Sequence, residues 1–312
     1  MGSGGRNIAW LFAFLSAVCL TAVFGVHRGI ERLSTCLMPI FFLLMIGLAA
    51  YSLLLPGSEA GLAYLFQFSW STVTPQAILN AMGFTFFSLS LGAGVLVTYG
   101  AYVNKSTRLP SAAMWVAILA LQAAILAGLV IMPAVFAYGL EPDAGPGLVF
   151  ITLPMIFAQL PGGSVVAVIF YFCLFVAALT SAVSLLEVAV AFLQNECRFS
   201  RRAAVFLCFA ALFILGSVSA LSFGPWSDCL IFGRSIFDFL DYVCTNFLMT
   251  INGLAVAFVV GWKAWPKAMK ELSTCSPENG VVTKGTLSAI GFGLRWLAPL
   301  MVLASCWQGL EA

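Results

Sequence analysis

Eight long apolar runs, at residues 8–26, 34–55, 78–103, 112–138, 164–193, 204–224, 237–262 and 288–309, alternate with short polar stretches along the chain. Each has about the 20 residues that an α-helix needs to cross a bilayer. The strict polar–apolar alternation of a barrel strand is absent. The pattern therefore predicts an all-α polytopic membrane protein with about eight transmembrane helices in one domain, residues 1–312. The first run could be mistaken for a secretory leader, with Arg6 ahead of it, but His27-Arg28 follow directly and no small-residue cleavage site intervenes, so a retained helix is expected.

Two stretches depart from plain spans. Residues 139–163 hold Pro142, Pro146, Pro154 and Pro161 among several glycines, too broken to cross a membrane, and read as an external lid loop with short helices. The run 78–103 carries Ser88-Leu89-Ser90-Leu91-Gly92-Ala93-Gly94 at its middle. Two serines and two glycines at bilayer depth predict an interrupted helix, although glycine in membrane helices often serves only close packing.

Composition sharpens the class. The chain is 62% hydrophobic and 8% charged, against about 45–50% and about 25% in soluble domains, which excludes a water-soluble globule. A net charge of +2 provides no basic face, so no nucleic-acid partner is expected. Nine cysteines show no metal-ligand spacing and read as small apolar residues. Alternate loops hold eleven Lys and Arg residues (Arg28, Arg32; Lys105, Arg108; Arg198, Arg201, Arg202; Lys263, Lys267, Lys270, Lys284), and the others hold only Arg234. Basic loops are cytoplasmic, so eight helices would place both ends of the chain outside. An outside start with almost no polar tail is awkward to insert, and an odd number of further helices upstream is the simplest expectation.

Ionisable groups inside membrane helices are functional candidates, although many only tie helices together. Glu187 lies within the fifth run, and Asp238 and Asp241 lie at the outer end of the seventh. Ala177, Thr180, Ser181 and Ser184, at offsets 0, 3, 4 and 7, share one helical face. Such a face lets helices approach closely, and its oxygens are also hard ligands suited to a small alkali cation. No Ser–His pair, zinc spacing, paired intramembrane carboxylates or phosphate loop is present, so no enzyme is expected. An interrupted helix beside hydroxyl groups points to a carrier.

Several segments in one order carry a more specific signal: Gly29-Ile30-Glu31-Arg32-Leu33-Ser34 into Met38-Pro39, Phe86-Phe87-Ser88-Leu89-Ser90-Leu91-Gly92, Tyr99-Gly100-Ala101-Tyr102, Phe150-Ile151-Thr152-Leu153-Pro154 and Ala178-Leu179-Thr180-Ser181-Ala182. Together they resemble the neurotransmitter:sodium symporter family, in its bacterial amino-acid branch, over essentially the whole chain. The resemblance implies the inverted-repeat symporter fold without its first three helices: residues 8–55 as the last two helices of the first repeat, 78–262 as the second repeat and 288–309 as an extra helix. It implies a multi-pass protein of the inner (plasma) membrane that carries amino acids or related small amines by sodium-coupled symport. Phe87, Ser88, Ser90, Ala93, Ser181 and Leu185 would line the substrate pocket. Ala177, Thr180 and Ser181 would hold sodium at the second site, Asp241 would be an outer-gate carboxylate, and Tyr102 would belong to the inner gate.

Four positions depart from the family pattern: Ala120 and Ala124 on the seventh family helix, Phe84 after Gly83, and Asn195 at the cytoplasmic end of the eighth. They count against the first sodium site, chloride coupling and the usual inner gate. They also keep open the alternative of a degenerate, non-transporting membrane protein with the same fold. The lipid bilayer and a small-molecule substrate are the implied partners, with a separate segment supplying three helices as a further one; without it, residues 1–312 are not expected to transport. The topology is testable by single-cysteine labelling on a cysteine-free background: residues 27–33, 104–111, 194–203 and 263–287 should label from the cytoplasm, and 56–76 and 139–163 from outside. Outside labelling at 104–111 would overturn it.

Overall fold

The computed structural model describes residues 4–67, 69–70, 73–104, 107–140, 147–274 and 284–311. Lys105, Cys275, residues 141–146 of the expected lid loop and 275–283 of the last basic loop lie outside the described residues. Seven helices among the described residues are long and apolar enough to cross a membrane: Gly4–Val23, Arg28–Leu53, Leu109–Ala137, Gly163–Asn195, Arg201–Leu221, Ile236–Lys263 and Leu287–Ala304. The remaining apolar run, 78–103, is broken between Ser88 and Val95, as its serines and glycines predict.

In chain order, the helices are α1 (Gly4–Val23), α2 (Arg32–Leu53), α3 (Ser58–Phe66), α4 (Pro75–Ser88), α5 (Val95–Gly100), α6 (Leu109–Ala137) and α7 (Leu153–Gln159). They continue as α8 (Gly163–Asn195), α9 (Arg201–Leu221), α10 (Ile236–Tyr242), α11 (Met249–Phe258), α12 (Trp265–Thr274), α13 (Lys284–Phe292) and α14 (Ala298–Glu311). Single π-helical turns run through Val26–Glu31, Leu148–Thr152, Val243–Leu248, Val259–Lys263 and Gly293–Leu297, joining α10 to α11 and α13 to α14 within single membrane-length helices. A small hairpin, β1 (Leu230–Ile231) paired antiparallel with β2 (Arg234–Ser235), was not legible in the sequence. Phe232 and Gly233 both have positive φ, the requirement of a type I′ turn.

The chain forms two compact units. The first comprises residues 1–23, 72–117 and 184–312. Within it, α1 and α9 pair antiparallel: Gly4 abuts Leu221 and Pro225, Leu11 abuts Gly216, and Arg201 Nε donates to the Ala22 carbonyl at 2.8 Å. Phe12 packs edge-on against both Phe209 and Phe213. The C-terminal end of α1 therefore lies beside the basic start of α9, as the loop charges require.

The second unit comprises residues 24–71 and 118–183. Its core joins Met45, Leu48, Val130, Val135, Ile156, Phe157, Phe170 and Cys173, so the short helix α7 is seated on apolar side chains of α2, α6 and α8 rather than left in solvent. Ser52 Oγ donates to the Val130 carbonyl at 2.8 Å, about one turn before Pro133 inside α6. Gly61 of α3 fits against the Met132–Pro133 main chain, where a Cβ would collide with backbone.

Gly92 meets a comparable limit in the first unit, because a Cβ there would collide with the Met249 carbonyl. Gly92→Ala should lower stability by about 1–3 kcal/mol, the usual cost of overpacking, read as a drop in thermal unfolding midpoint in detergent. Gly47→Ala, where nothing lies within 4 Å, should be neutral or slightly stabilising.

Candidate functional site

The broken helix is specified at each end. Thr74 caps α4 by accepting from the Ala77 N–H at 3.1 Å, with Pro75 at the first helical position. The helix stops at Ser88, and Ser90 takes a left-handed conformation with φ 51°. Leu91–Ala93 make one 3₁₀ turn, and Gly94 turns left-handed again (φ 77°) before α5 begins. A left-handed non-glycine residue costs roughly 1–2 kcal/mol; strain of this kind clusters at functional sites. The break is held by Asn252 of α11, whose Nδ2 donates to the Gly92 carbonyl at 2.7 Å.

Of the candidate substrate residues, Phe87, Ser88, Ser90 and Ala93 lie at or within this break. Phe87 is exposed and lines a largely apolar cavity of about 670 Å3 with Phe86, Leu91, Thr250, Gly253 and Val302. Ser181 and Leu185 are both exposed on α8, one turn apart. Leu185 belongs to the first unit with the break, and Ser181 to the second unit.

The hydroxylated face exists as expected, because α8 runs unbroken from Gly163 to Asn195. Thr180 Oγ1 donates to its own helix, to the Val176 and Ala177 carbonyls at 3.0 and 3.1 Å. This donation leaves the hydroxyl oxygen as an acceptor, so Ala177 and Thr180 present adjacent oxygens. Ser184 Oγ accepts from Tyr99 Oη at 2.7 Å, linking α8 to α5. Among the described residues no group of three or more His, Cys, Asp or Glu side chains gathers as a metal cluster, so any cation held here would rest on neutral oxygens.

Tyr102 belongs to an arrangement that the sequence did not reveal. Its hydroxyl donates to Glu187 Oε1 at 3.3 Å. Glu187 is fully buried, and Arg201 grips both of its oxygens, Nη2 on Oε2 and Nη1 on Oε1 at 3.1 Å. Arg201 Nη1 also reaches Gln194 Oε1 at 3.2 Å, and its Nε holds the Ala22 carbonyl. One guanidinium thus ties α1, α8 and α9 together and, through Glu187, the segment following α5. In the sequence Arg201 reads as one more loop cation. The available signal was Glu187 itself, since a carboxylate at membrane depth requires a partner.

Asp241 stands apart from these groups: it is exposed on α10 and accepts a long 3.4 Å bond from Thr245. Asp238 has a structural duty at the start of α10, where Ser235 caps the helix by accepting from the Asp238 N–H at 3.1 Å and its hydroxyl donates to Asp238 Oδ2 at 2.6 Å. Ala120, Ala124 and Gln122 lie along α6, and Asn195 is the exposed last residue of α8.

Comparison with known proteins adds to this geometry. Residues 2–288 match the family model described as the sodium:neurotransmitter symporter family. An uncharacterized sodium-dependent transporter of Haemophilus influenzae is 37% identical over 295 residues, covering 94% of this chain and 63% of the relative. The uncharacterized sodium-dependent transporter YhdH of Bacillus subtilis is 34% identical over 298 residues, covering 96% and 65% respectively. The chain therefore spans less than two thirds of the length of these relatives. The crystal structure of MhsT in complex with L-phenylalanine superposes with a TM-score of 0.85 at 40% identity, over 97% of this chain and 68% of that one.

Breaking the buried pair should be costly. Arg201→Met alone leaves Glu187 buried without a counter-charge and should destabilise the protein by about 3–5 kcal/mol, whereas Glu187→Leu combined with Arg201→Met should recover part of the loss. Thermal unfolding of the single and double variants in detergent measures the coupling. Additive losses would show that the pair is not energetically joined.

Proposed function

The chain belongs to the sodium:neurotransmitter symporter family, and on that premise we propose that it carries ion- and substrate-binding helices of a sodium-coupled symporter for amino acids. Seven membrane-length helices among the described residues, in a chain of this family, make it a multi-pass protein of the plasma membrane. The observation that carries the transport reading is the strained interruption at Ser88–Gly94, held at the Gly92 carbonyl by Asn252. A helix broken at mid-membrane offers main-chain groups to substrate and ion that an intact helix would use internally.

In this reading, sodium rests on the Ala177 carbonyl and the hydroxyl oxygens of Thr180 and Ser181. These are hard, neutral ligands that replace water around a small cation at little cost. Substrate contacts Phe87, Ser88, Ser90, Ala93, Ser181 and Leu185. The small side chain of Ala93 leaves room for a large apolar or aromatic substrate side chain, and L-phenylalanine in the complex of the similar MhsT supports that class. Tyr102, restrained by Glu187, belongs to the inner gate, and Asp241 to the outer one. Ala120 and Ala124 offer no side-chain oxygen or hydroxyl, so a first sodium site resting on side chains there and chloride coupling are left out of the proposal.

The test is amino-acid uptake into liposomes under an inward sodium gradient, by the chain alone and with the three expected upstream helices co-expressed. Sodium-dependent uptake in either arrangement supports the proposal. Its absence in both favours the degenerate reading that Ala120, Ala124 and Asn195 motivate. In the active arrangement, Thr180→Val and Ser181→Ala should each raise the half-saturating sodium concentration about tenfold or more, the scale of one lost bond to a charged group. Unchanged sodium dependence in both variants would remove this face as the coupling site.

A further inference from the structure

Four cations lie along the segments that flank the link between α11 and α13. Lys263 ends the π-helical turn Val259–Lys263, Lys267 and Lys270 lie on α12, and Arg295 lies in the turn Gly293–Leu297. The three lysines are exposed, and among residues 259–274 only Glu271 is acidic. Helix α12 is amphipathic: Trp265, Ala268, Met269 and Leu272 recur at offsets 0, 3, 4 and 7, and Lys267 and Lys270 fall outside that stripe. A short helix with an apolar stripe and a basic face suits the plane of a membrane surface.

Arg295 makes this end of the molecule unusual. It lies eight residues inside the membrane-length helix Leu287–Ala304, about 12 Å along the axis. A guanidinium at that depth must reach back toward the interface or find polar partners. Its Nε donates to the Gly261 carbonyl at 2.6 Å, within a π-helical turn, and its Cζ lies 5.4 Å from the Trp265 ring. Gly261 and Gly291 leave the space: a Cβ at the first would crowd Arg295, and one at the second would press on the Trp265 ring. Among the described residues, no carboxylate pairs with Arg295. Its Nη groups thus keep their donors beside an indole cluster in which Trp262 packs edge-on against Trp296 at 6.1 Å, and these two rings remain 40% and 56% exposed.

We propose that this basic face binds the phosphate of an anionic phospholipid headgroup. The ammonium groups of Lys263 and Lys267 take phosphate oxygens at the surface, Arg295 adds positive charge from its place against Gly261 and Trp265, and Trp262, Trp265 and Trp296 lie at the boundary between headgroup and acyl chain. Charge complementarity selects the occupant, and the position selects its form. Lys263 ends a membrane-length helix and Lys267 and Lys270 follow on α12, among exposed indoles, where a lipid headgroup is anchored by its own acyl chains and a soluble acidic partner would meet hydrocarbon. The site requires only that these helices cross a bilayer and is independent of the transport reading.

Native mass spectrometry of the purified chain, with equimolar phosphatidylglycerol and phosphatidylcholine bearing the same acyl chains, tests this directly. The unaltered chain should retain phosphatidylglycerol preferentially. The variant Lys263→Gln/Lys267→Gln/Lys270→Gln should lose at least about tenfold of that preference, since each cation near an anionic surface is worth about fivefold in binding. Arg295→Lys keeps the charge without the planar fork and should retain part of it, whereas Arg198→Gln/Arg202→Gln, in a different loop, should retain all of it. The proposal is overturned by equal retention of both lipids, by a preference that survives the triple lysine variant, or by equal loss in the Arg198/Arg202 variant. Displacement of the lipid by inorganic phosphate would reassign the face to soluble anions and overturn it as well.

Discussion

A main-chain carbonyl in a bilayer has no water to turn to, and the rest of this structure depends on how that constraint is met wherever a helix is interrupted, kinked or ended. Several side chains reach from one element to the backbone of another, and four of them mark the places that matter most. Asn252 takes the Gly92 carbonyl in the broken helix, Ser52 the Val130 carbonyl near Pro133, Arg201 the Ala22 carbonyl at the end of α1, and Arg295 the Gly261 carbonyl in a π-helical turn. Each bond satisfies a polar group and joins two helices at once. In hydrocarbon, where apolar contact between helices gains little over contact with lipid, such bonds and close glycine packing are what give the helices fixed partners.

The broken helix shows how the same constraint becomes useful. Ser90 and Gly94 turn the chain out of the α-helical region, so α4 and α5 are separate helices on either side of a short polar segment. Asn252 holds one carbonyl of that segment, and Gly92 lies too close to Met249 to admit a side chain. The interruption is therefore clamped rather than loose. A clamped gap presents main-chain groups at defined positions.

Glu187 and Arg201 illustrate a different balance. Removing two charges from water is expensive, and their attraction repays it only when the remaining lone pairs and protons find partners. Here Tyr102, Gln194 and the Ala22 carbonyl supply them. The pair is thus less a source of raw stability than a device that fixes which helices meet. It also makes the position of Tyr102 depend on the registry of α8 against α9.

The short helices α3 and α12 lie in stretches that read as loops. The sequence alone determined that the chain crosses a membrane many times, where its long helices run, that the segment at 88–94 interrupts one of them, and that Ala177, Thr180, Ser181 and Ser184 share a face. These follow from local properties: apolar run length, the conformational freedom of glycine, and the 3.6-residue period of a helix. The hairpin at 230–235 is also local in origin, but a turn built on Phe232 and Gly233 lacks the usual Asn-Gly or Asp-Gly signal. Tertiary structure alone decided which partners the polar groups chose. Glu187 and Arg201 are 14 residues apart, Gly92 and Asn252 160, and Gly261 and Arg295 34. No periodicity links such positions, because the bond forms only after separate helices pack, and desolvation in that packed state is what makes each choice obligatory.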